Sequence, residues 1–533
     1  MRRRLTSAIF ILAMIQAGAA QDHSQHRAPS IPREFLERPL PLRNGIGAAH
    51  DPVSTTNDQA QAYYDQGLAY MHSYVWLEAA RSFNQALRID PKLGIAHSAL
   101  SIVYVELNSP DMAHAAMENA QKLAPASGHD RRHVELRRLQ MAAEDAPKDK
   151  AVLAAYRTAL DKALVEFPND EELWLLRGMA ESADPADRGQ GSVASSVTFY
   201  ERAAKLGGTH FAADHYLVHA LENTGKINEA LNHGLKYAIA APNVAHAHHM
   251  LAHDLRRVGK IDEAVEEFET ADVLASKYFE AERVPKEFDW HYQHNLDLLG
   301  SAYQYIGQMA KAERMLSLSF GLASASAVQE FNKREWPAFL IARGRTDEAI
   351  AAADVMMGHP SPLIRSTGHA AKGRALAAAG KFAQAAEEAN AALRELRTAG
   401  DGSALPARAV QELQAEFYLF TGQPERGQAL LDDTLVKLRT VVGPDEWSQA
   451  LFSLESLARA ARAAGKWPAA ERIARLMVEH DPAYAGSHYS LGLALEHNGD
   501  AAGARAQFEL ARKFWAKADS DLPELKETQK RLQ

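Results

Sequence analysis

An all-α solenoid of paired helices is the fold class this sequence predicts, from a repeated spacing, a helix-favouring composition and the lack of any strand pattern. Gly225 and Gly259, Ala230 and Ala264, Gly465 and Gly499, and Pro91 and Pro125 are each thirty-four residues apart, a period that belongs to stacked helix pairs. Alanine-rich and leucine-rich stretches with few β-branched runs favour helix, and many of the 32 glycines and 22 prolines fall at turns. A chain of 533 residues would otherwise suggest several globular domains, but a solenoid grows by nearest-neighbour contacts and escapes that limit.

In chain order, Arg2, Arg3 and Arg4 precede the apolar run Ala8 to Ile15, and Ala17-Gly18-Ala19-Ala20 offers a cleavage site before Gln21. Residues 1–20 therefore read as a signal peptide, the apolar run being well short of the ~20 residues that span a bilayer. A periodic pattern is lacking in residues 21–57, where Pro29, Pro32, Pro39, Pro41 and Pro52 predict a Pro-rich extended leader. The mature protein is expected to be periplasmic or secreted, with no stable membrane insertion. Cleavage after Ala20 would expose Gln21-Asp22-His23, and a histidine third from a free amine can take Cu(II) or Ni(II) in a square plane.

The first repeat unit shows how the pairs are built. Tyr63, Gly67, Tyr70, Ala79, Phe83, Ala86 and Pro91 alternate large and small side chains along two helical stretches. Large residues act as knobs, small ones let paired helices approach, and the proline stops the second helix. This pattern resembles the tetratricopeptide repeat, and the resemblance implies about twelve helix pairs in a right-handed superhelix. Residues 58–125 then form an N-terminal pair of repeats and 126–207 degenerate helical repeats. One of these, marked by Trp174, Gly178, Tyr200 and Ala203, carries about six extra residues at its Asp184 to Gly191 turn. Residues 208–322 are a histidine-rich repeat segment, and 323–447 are degenerate repeats turning at Gly344, Gly380 and Gly422. A C-terminal pair of repeats spans 448–517, and 518–533 is a tail or capping helix. Segments His50 to Pro91 and His246 to Ala264 are further similar to exported bacterial tetratricopeptide proteins of unsettled activity.

Several chemistries are excluded or unsupported. The chain has no cysteine, hence no disulfide and no thiolate metal site. Its formal charge of −9 becomes −12 once the three arginines of the signal are removed, which argues against nucleic acid, whose binding needs Lys and Arg on phosphates. Gly-Lys pairs at 225, 259, 380 and 465 lack the rest of a phosphate loop, and neither HExxH nor GxSxG occurs. No enzyme is expected.

Histidine is the feature that remains. Of 23 histidines, ten (His210, His215, His219, His233, His246, His248, His249, His253, His291 and His294) fall within eighty-five residues. The resemblance implies that residues thirteen, ten and six before each turn glycine line the concave groove. That phase selects His215, His219, His246, His249, His253, His294 and Asp297, with Glu222, Arg256 and Arg257 beside them. His248 falls out of phase, in a packing position. His215/His219 and His249/His253 are spaced so that each pair shares one helix face and could converge on zinc, copper or nickel. The leading expectation is an exported, non-enzymatic interaction scaffold that holds a peptide or protein partner in its concave groove. The alternative is a metal-binding protein, or a metal-dependent enzyme, centred on those four histidines.

Overall fold

A glycine in the left-handed region closes the first helix of seven pairs, at Gly225, Gly259, Gly307, Gly344, Gly380, Gly465 and Gly499, with φ between 68° and 89°. The turn hydrogen bonds repeat with it: Lys226 N–H reaches Leu221 O at 2.8 Å and Gly225 N–H reaches Glu222 O at 3.0 Å, satisfying carbonyls that a helix end would leave unpaired. In the first two pairs Tyr74 (φ 57°) and Asn108 (φ 52°) hold that position. A tyrosine there is costly, by about 1–3 kcal/mol, so its surroundings must hold it.

The computed structural model describes residues 31–123, 127–206, 210–324, 327–399, 404–421, 424–440 and 444–533. The signal peptide, Gln21-Asp22-His23, Pro125 and Gly422 lie outside these. Among the described residues the chain is all-α, and twelve helix pairs follow one another. They are Asp58–Met71 with Trp76–Ile89, Gly94–Glu106 with Pro110–Lys122, Gly128–Asp145 with Lys150–Glu166, and Glu171–Met179 with Ala194–Lys205. Next come Ala212–Asn223 with Ile227–Ala240, Ala245–Arg257 with Ile261–Glu282, and Trp290–Tyr305 with Met309–Gly321. The eighth pair has a first helix broken into Ala327–Asn332 and Glu335–Ala342, followed by Thr346–Met357. Pro362–Ala378 with Phe382–Ala399, Ala404–Thr421 with Pro424–Arg439, Pro444–Ala463 with Trp467–His480, and Ala485–His497 with Ala501–Phe514 complete the array. Helix Pro523–Leu532 caps the end.

Small residues on the first helices are there for close approach. A Cβ on Gly67 would lie 2.4 Å from the Phe83 ring, and one on Gly178 would lie 2.3 Å from Tyr200. Among the described residues no helix is long and apolar enough to cross a membrane.

The described segment before the first pair, from residue 31 on, is packed against the array. Helix Arg33–Leu36 and buried Leu40, Ile46, Ala49 and Val53 fasten it as a strap. Gly45 O accepts from Asn243 N–H at 2.7 Å, and Ala48 pairs with His210 in an isolated bridge. The first pair follows it inward: Tyr278 Oη donates to Glu78 at 2.9 Å, and Arg81 bridges to Glu282 at 2.9 Å. From the other end Asp519 N–H donates to Gly307 O at 3.1 Å, and Lys517 pairs with Asp262 at 2.9 Å. Both ends therefore close on the middle pairs, where the histidines lie.

Candidate metal centre

His215 sets the geometry of the interior. Its Nδ1 is 2.6 Å from the carbonyl of His72, which can only accept, so Nδ1 carries the proton and a neutral ring presents a lone pair at Nε2. Burial, followed by a partly offsetting bond to that carbonyl, brings its pKa down to about 3. The Nε2 atom faces His219 Nε2 and His246 Nε2, each at 3.1 Å. Three imidazole nitrogens sharing one tetrahedral ion at normal bond lengths would stand roughly 3.3 Å apart.

A second set repeats the arrangement one turn further along the sixth pair. Asn295 Nδ2 donates to Phe268 O at 3.2 Å, which turns its Oδ1 toward His249 Nδ1 at 2.9 Å. His249 Nδ1 is thus a donor, and its Nε2 lone pair faces His253 Nε2 at 3.0 Å. His294 completes this group, its ligand atom within 4.8 Å of the other two. Burial first, and neighbouring imidazoles second, hold His219, His246 and His249 well below the ordinary histidine range. These four rings are therefore suited to act as neutral donors.

The predicted histidines thus converge, but as two trios, His215/His219/His246 and His249/His253/His294, in place of one set of four. They are also interior groups. His215, His219, His246, His249 and His253 are all buried and His294 is half-buried, because the first pair's turn folds over them: Tyr74 packs against His215, His219, His246 and His291 at ring distances of 4.7–5.9 Å. Tyr74 Oη donates to Arg188 O at 2.8 Å, so the insertion at residues 184–191 braces the strained tyrosine. A solvent-facing peptide groove at these histidines is corrected on that ground. Asp297 is buried one turn past His294; Arg256 and Arg257 lie near the rings of Tyr305 and Trp447, each at 5.6 Å. His248 pairs with Glu267 at 2.6 Å and Pro242 O at 3.0 Å, away from both trios.

Glu222 is wholly buried, yet neither carboxylate oxygen has a hydrogen-bond partner; His253 Nδ1 is 3.8 Å from its Oε1. Asp254 nearby is held well above the usual carboxylate range, by burial and then by Glu222. Arg257 acts electrostatically on both carboxylates; two acidic groups buried without hydrogen bonds are expensive, and a cation in the trios would offset them further.

Two further clusters were not singled out from sequence. In one, His72 and His210 share Glu172 at 2.8 and 2.6 Å. In the other, His129 contacts Asp51 at 2.9 Å and Asp170 at 3.2 Å, while His133 contacts Asp170 at 2.8 Å. Here each ring meets a carboxylate, so the clusters tie distant helices of the chain together. His129 and His133 are four apart on one helix, a signal present in the sequence; His72 and Glu172 are a hundred residues apart and gave none.

The tetratricopeptide repeat family profile matches residues 245–270, 452–475 and 485–509, on the sixth, eleventh and twelfth pairs. Among solved structures, yeast Tom70 is similar at 13% identity, covering 89% of this chain and 95% of that one with a TM-score of 0.31. The Cut9–Hcn1 hetero-tetramer of APC/C is similar at 12% identity, 88% and 96% coverage and the same TM-score of 0.31. No curated protein matches the sequence. Each matched segment is seated on a helix pair of the array, so the sixth, eleventh and twelfth pairs carry the tetratricopeptide-repeat pattern within an all-α helical-repeat solenoid.

Proposed function

We propose that this protein is an exported metal-binding scaffold, a tetratricopeptide solenoid closed around a buried all-imidazole centre for Zn(II), Cu(II) or Ni(II). The observation that carries this reading is the convergence of two three-histidine sets in which facing ring nitrogens of His215/His219, His215/His246 and His249/His253 stand 3.0–3.1 Å apart inside the fold. Hydrogen bonds from the far nitrogens of His215 and His249 fix the tautomer, as they do for metal-ligating histidines generally. Zinc and copper suit such donors, and the divalent order of affinity favours copper. The role is binding, with export following from residues 1–20. A protein or peptide partner is assigned to a different part of the scaffold, a polar cavity of about 90 Å³ between the first helices of pairs eight to eleven, lined by Arg334, Arg374, Glu412, Gln449 and Ser453.

The test is metal analysis of the mature protein, beginning at Ala20 or Gln21 and purified without chelators, followed by zinc and copper titration. Alanine at His215 or His249 is expected to lower affinity strongly, whereas alanine at His248 leaves it nearly unchanged. If the protein takes up no metal at micromolar concentration, or the three variants behave alike, the metal reading fails.

A further inference from the structure

The two trios are too close to be treated as separate sites. His246 and His249 are three residues apart on one face of Ala245–Arg257, each belongs to a different trio, and their rings stack with centroids 5.6 Å apart. We infer that the trios are the halves of one dinuclear copper centre that holds a small bridging anion between its two ions. This rests on the metal-binding reading and adds to it the number of ions, their coupling and the class of ligand they take.

Three observations lead there. Each trio supplies three imidazoles, and sites with three protein ligands keep a coordination position open for water or another small ligand. Imidazole ligands bring no charge of their own, so two Cu(II) ions would bring four positive charges into the interior against the carboxylates of Glu222 and Asp254, neither of which has a hydrogen-bond partner. An anion shared between the open positions removes part of that excess at the place where it is largest. Finally, a seventh imidazole, His291, lies with its ring 4.6 Å from His246, and its Nε2 is buried without a hydrogen-bond partner. Its ring packs on Trp290 at 3.7 Å and Tyr74 at 5.6 Å, and those two aromatic residues form one wall of a cavity of about 60 Å³ that reaches Asp289 and Phe288.

The experiment loads the full mature protein with copper sulfate and measures copper content, electron paramagnetic resonance and the absorption change on adding sodium azide. Two copper ions per chain are expected, with a resonance signal that is a small fraction of that from two isolated ions, because a bridging ligand couples their spins. Azide should replace the bridge and add a charge-transfer band. His219→Ala and His253→Ala each break one trio, and each should leave one copper per chain with full signal. Should either variant fail to fold, the wild-type signal still decides. Two coppers with full intensity and no azide band would mean two independent sites, which overturns the dinuclear inference and leaves metal binding standing. One copper per chain also overturns it, and no copper uptake overturns the metal reading itself.

Discussion

Glu222 combines two properties that rarely occur together: it is fully buried, and both its oxygens lack a hydrogen-bond partner. Replacing it by glutamine keeps the shape and removes the charge. In the metal-free protein Glu222→Gln is therefore expected to raise stability, by about 1–3 kcal/mol. In the loaded protein it should weaken metal binding, because a buried negative charge that offsets the ion is lost. Thermal unfolding with and without metal checks both signs, and a variant less stable in the metal-free state would mean that Glu222 has a structural partner instead. How much of this was legible depends on distance along the chain. His215, His219, His246, His249, His253 and His294 could be placed together because helical phase and the thirty-four-residue period are local properties. Tyr74, His72 and Glu172 could not, since nothing in a periodic pattern says that the first pair's turn will fold across the fifth and sixth.

At the scale of elements, the prolines of residues 21–57 raise the expectation of extended backbone and say nothing of where its described part, from residue 31 on, would lie. Its buried positions Leu40, Ile46, Ala49 and Val53 lie outside any helix, so tertiary contact explains their burial. The strap and the first turn occupy the inner face of the middle pairs, which moves any open groove elsewhere. First helices of pairs eight to eleven keep polar side chains facing a shared cavity: Arg374 meets Glu412 and Glu416 at 3.6 and 2.9 Å, and Ser453 donates to Glu412 at 2.9 Å. Such paired charges can exchange partners with a polar peptide backbone or side chain at modest net cost. A photo-crosslinking residue at Gln449 should accordingly capture a protein partner in the native host, and the same residue at buried His249 should not. Capture at both positions, or at neither, would remove the partner surface from this cavity.

For the whole molecule, closure from both ends converts scattered histidines into a pH-sensitive interior. His215 has its pKa carried by burial down to about 3, and His219, His246 and His249 are pushed in the same direction. An unfolded chain binds protons on these rings below ~6.5 while the folded one does not, so stability falls as pH falls through that range. Asp170 and Glu172 act with them: burial opposes their ionisation, but His133 for the first and His72 and His210 for the second hold both carboxylates below their ordinary range. The stability they add is present above ~4 and is lost as they protonate. His129 works the other way. Burial lowers its pKa, yet hydrogen bonds to Asp130, Asp170 and Asp51 outweigh burial and carry it up to about 12; its contribution is full below ~6.5 and fades as pH rises toward that value. More depressed imidazoles and carboxylates than raised ones bear on the acid side, so the metal-free protein should show its thermal midpoint dropping steadily from about pH 7 to about pH 4. Zinc at saturating concentration should raise the midpoint most near neutrality and progressively less toward acid, because the ligands must shed protons to bind it. A metal-free midpoint that stays level down to about pH 5 would show His215, His219, His246 and His249 to be solvated, and with that the closed interior itself would have to be abandoned.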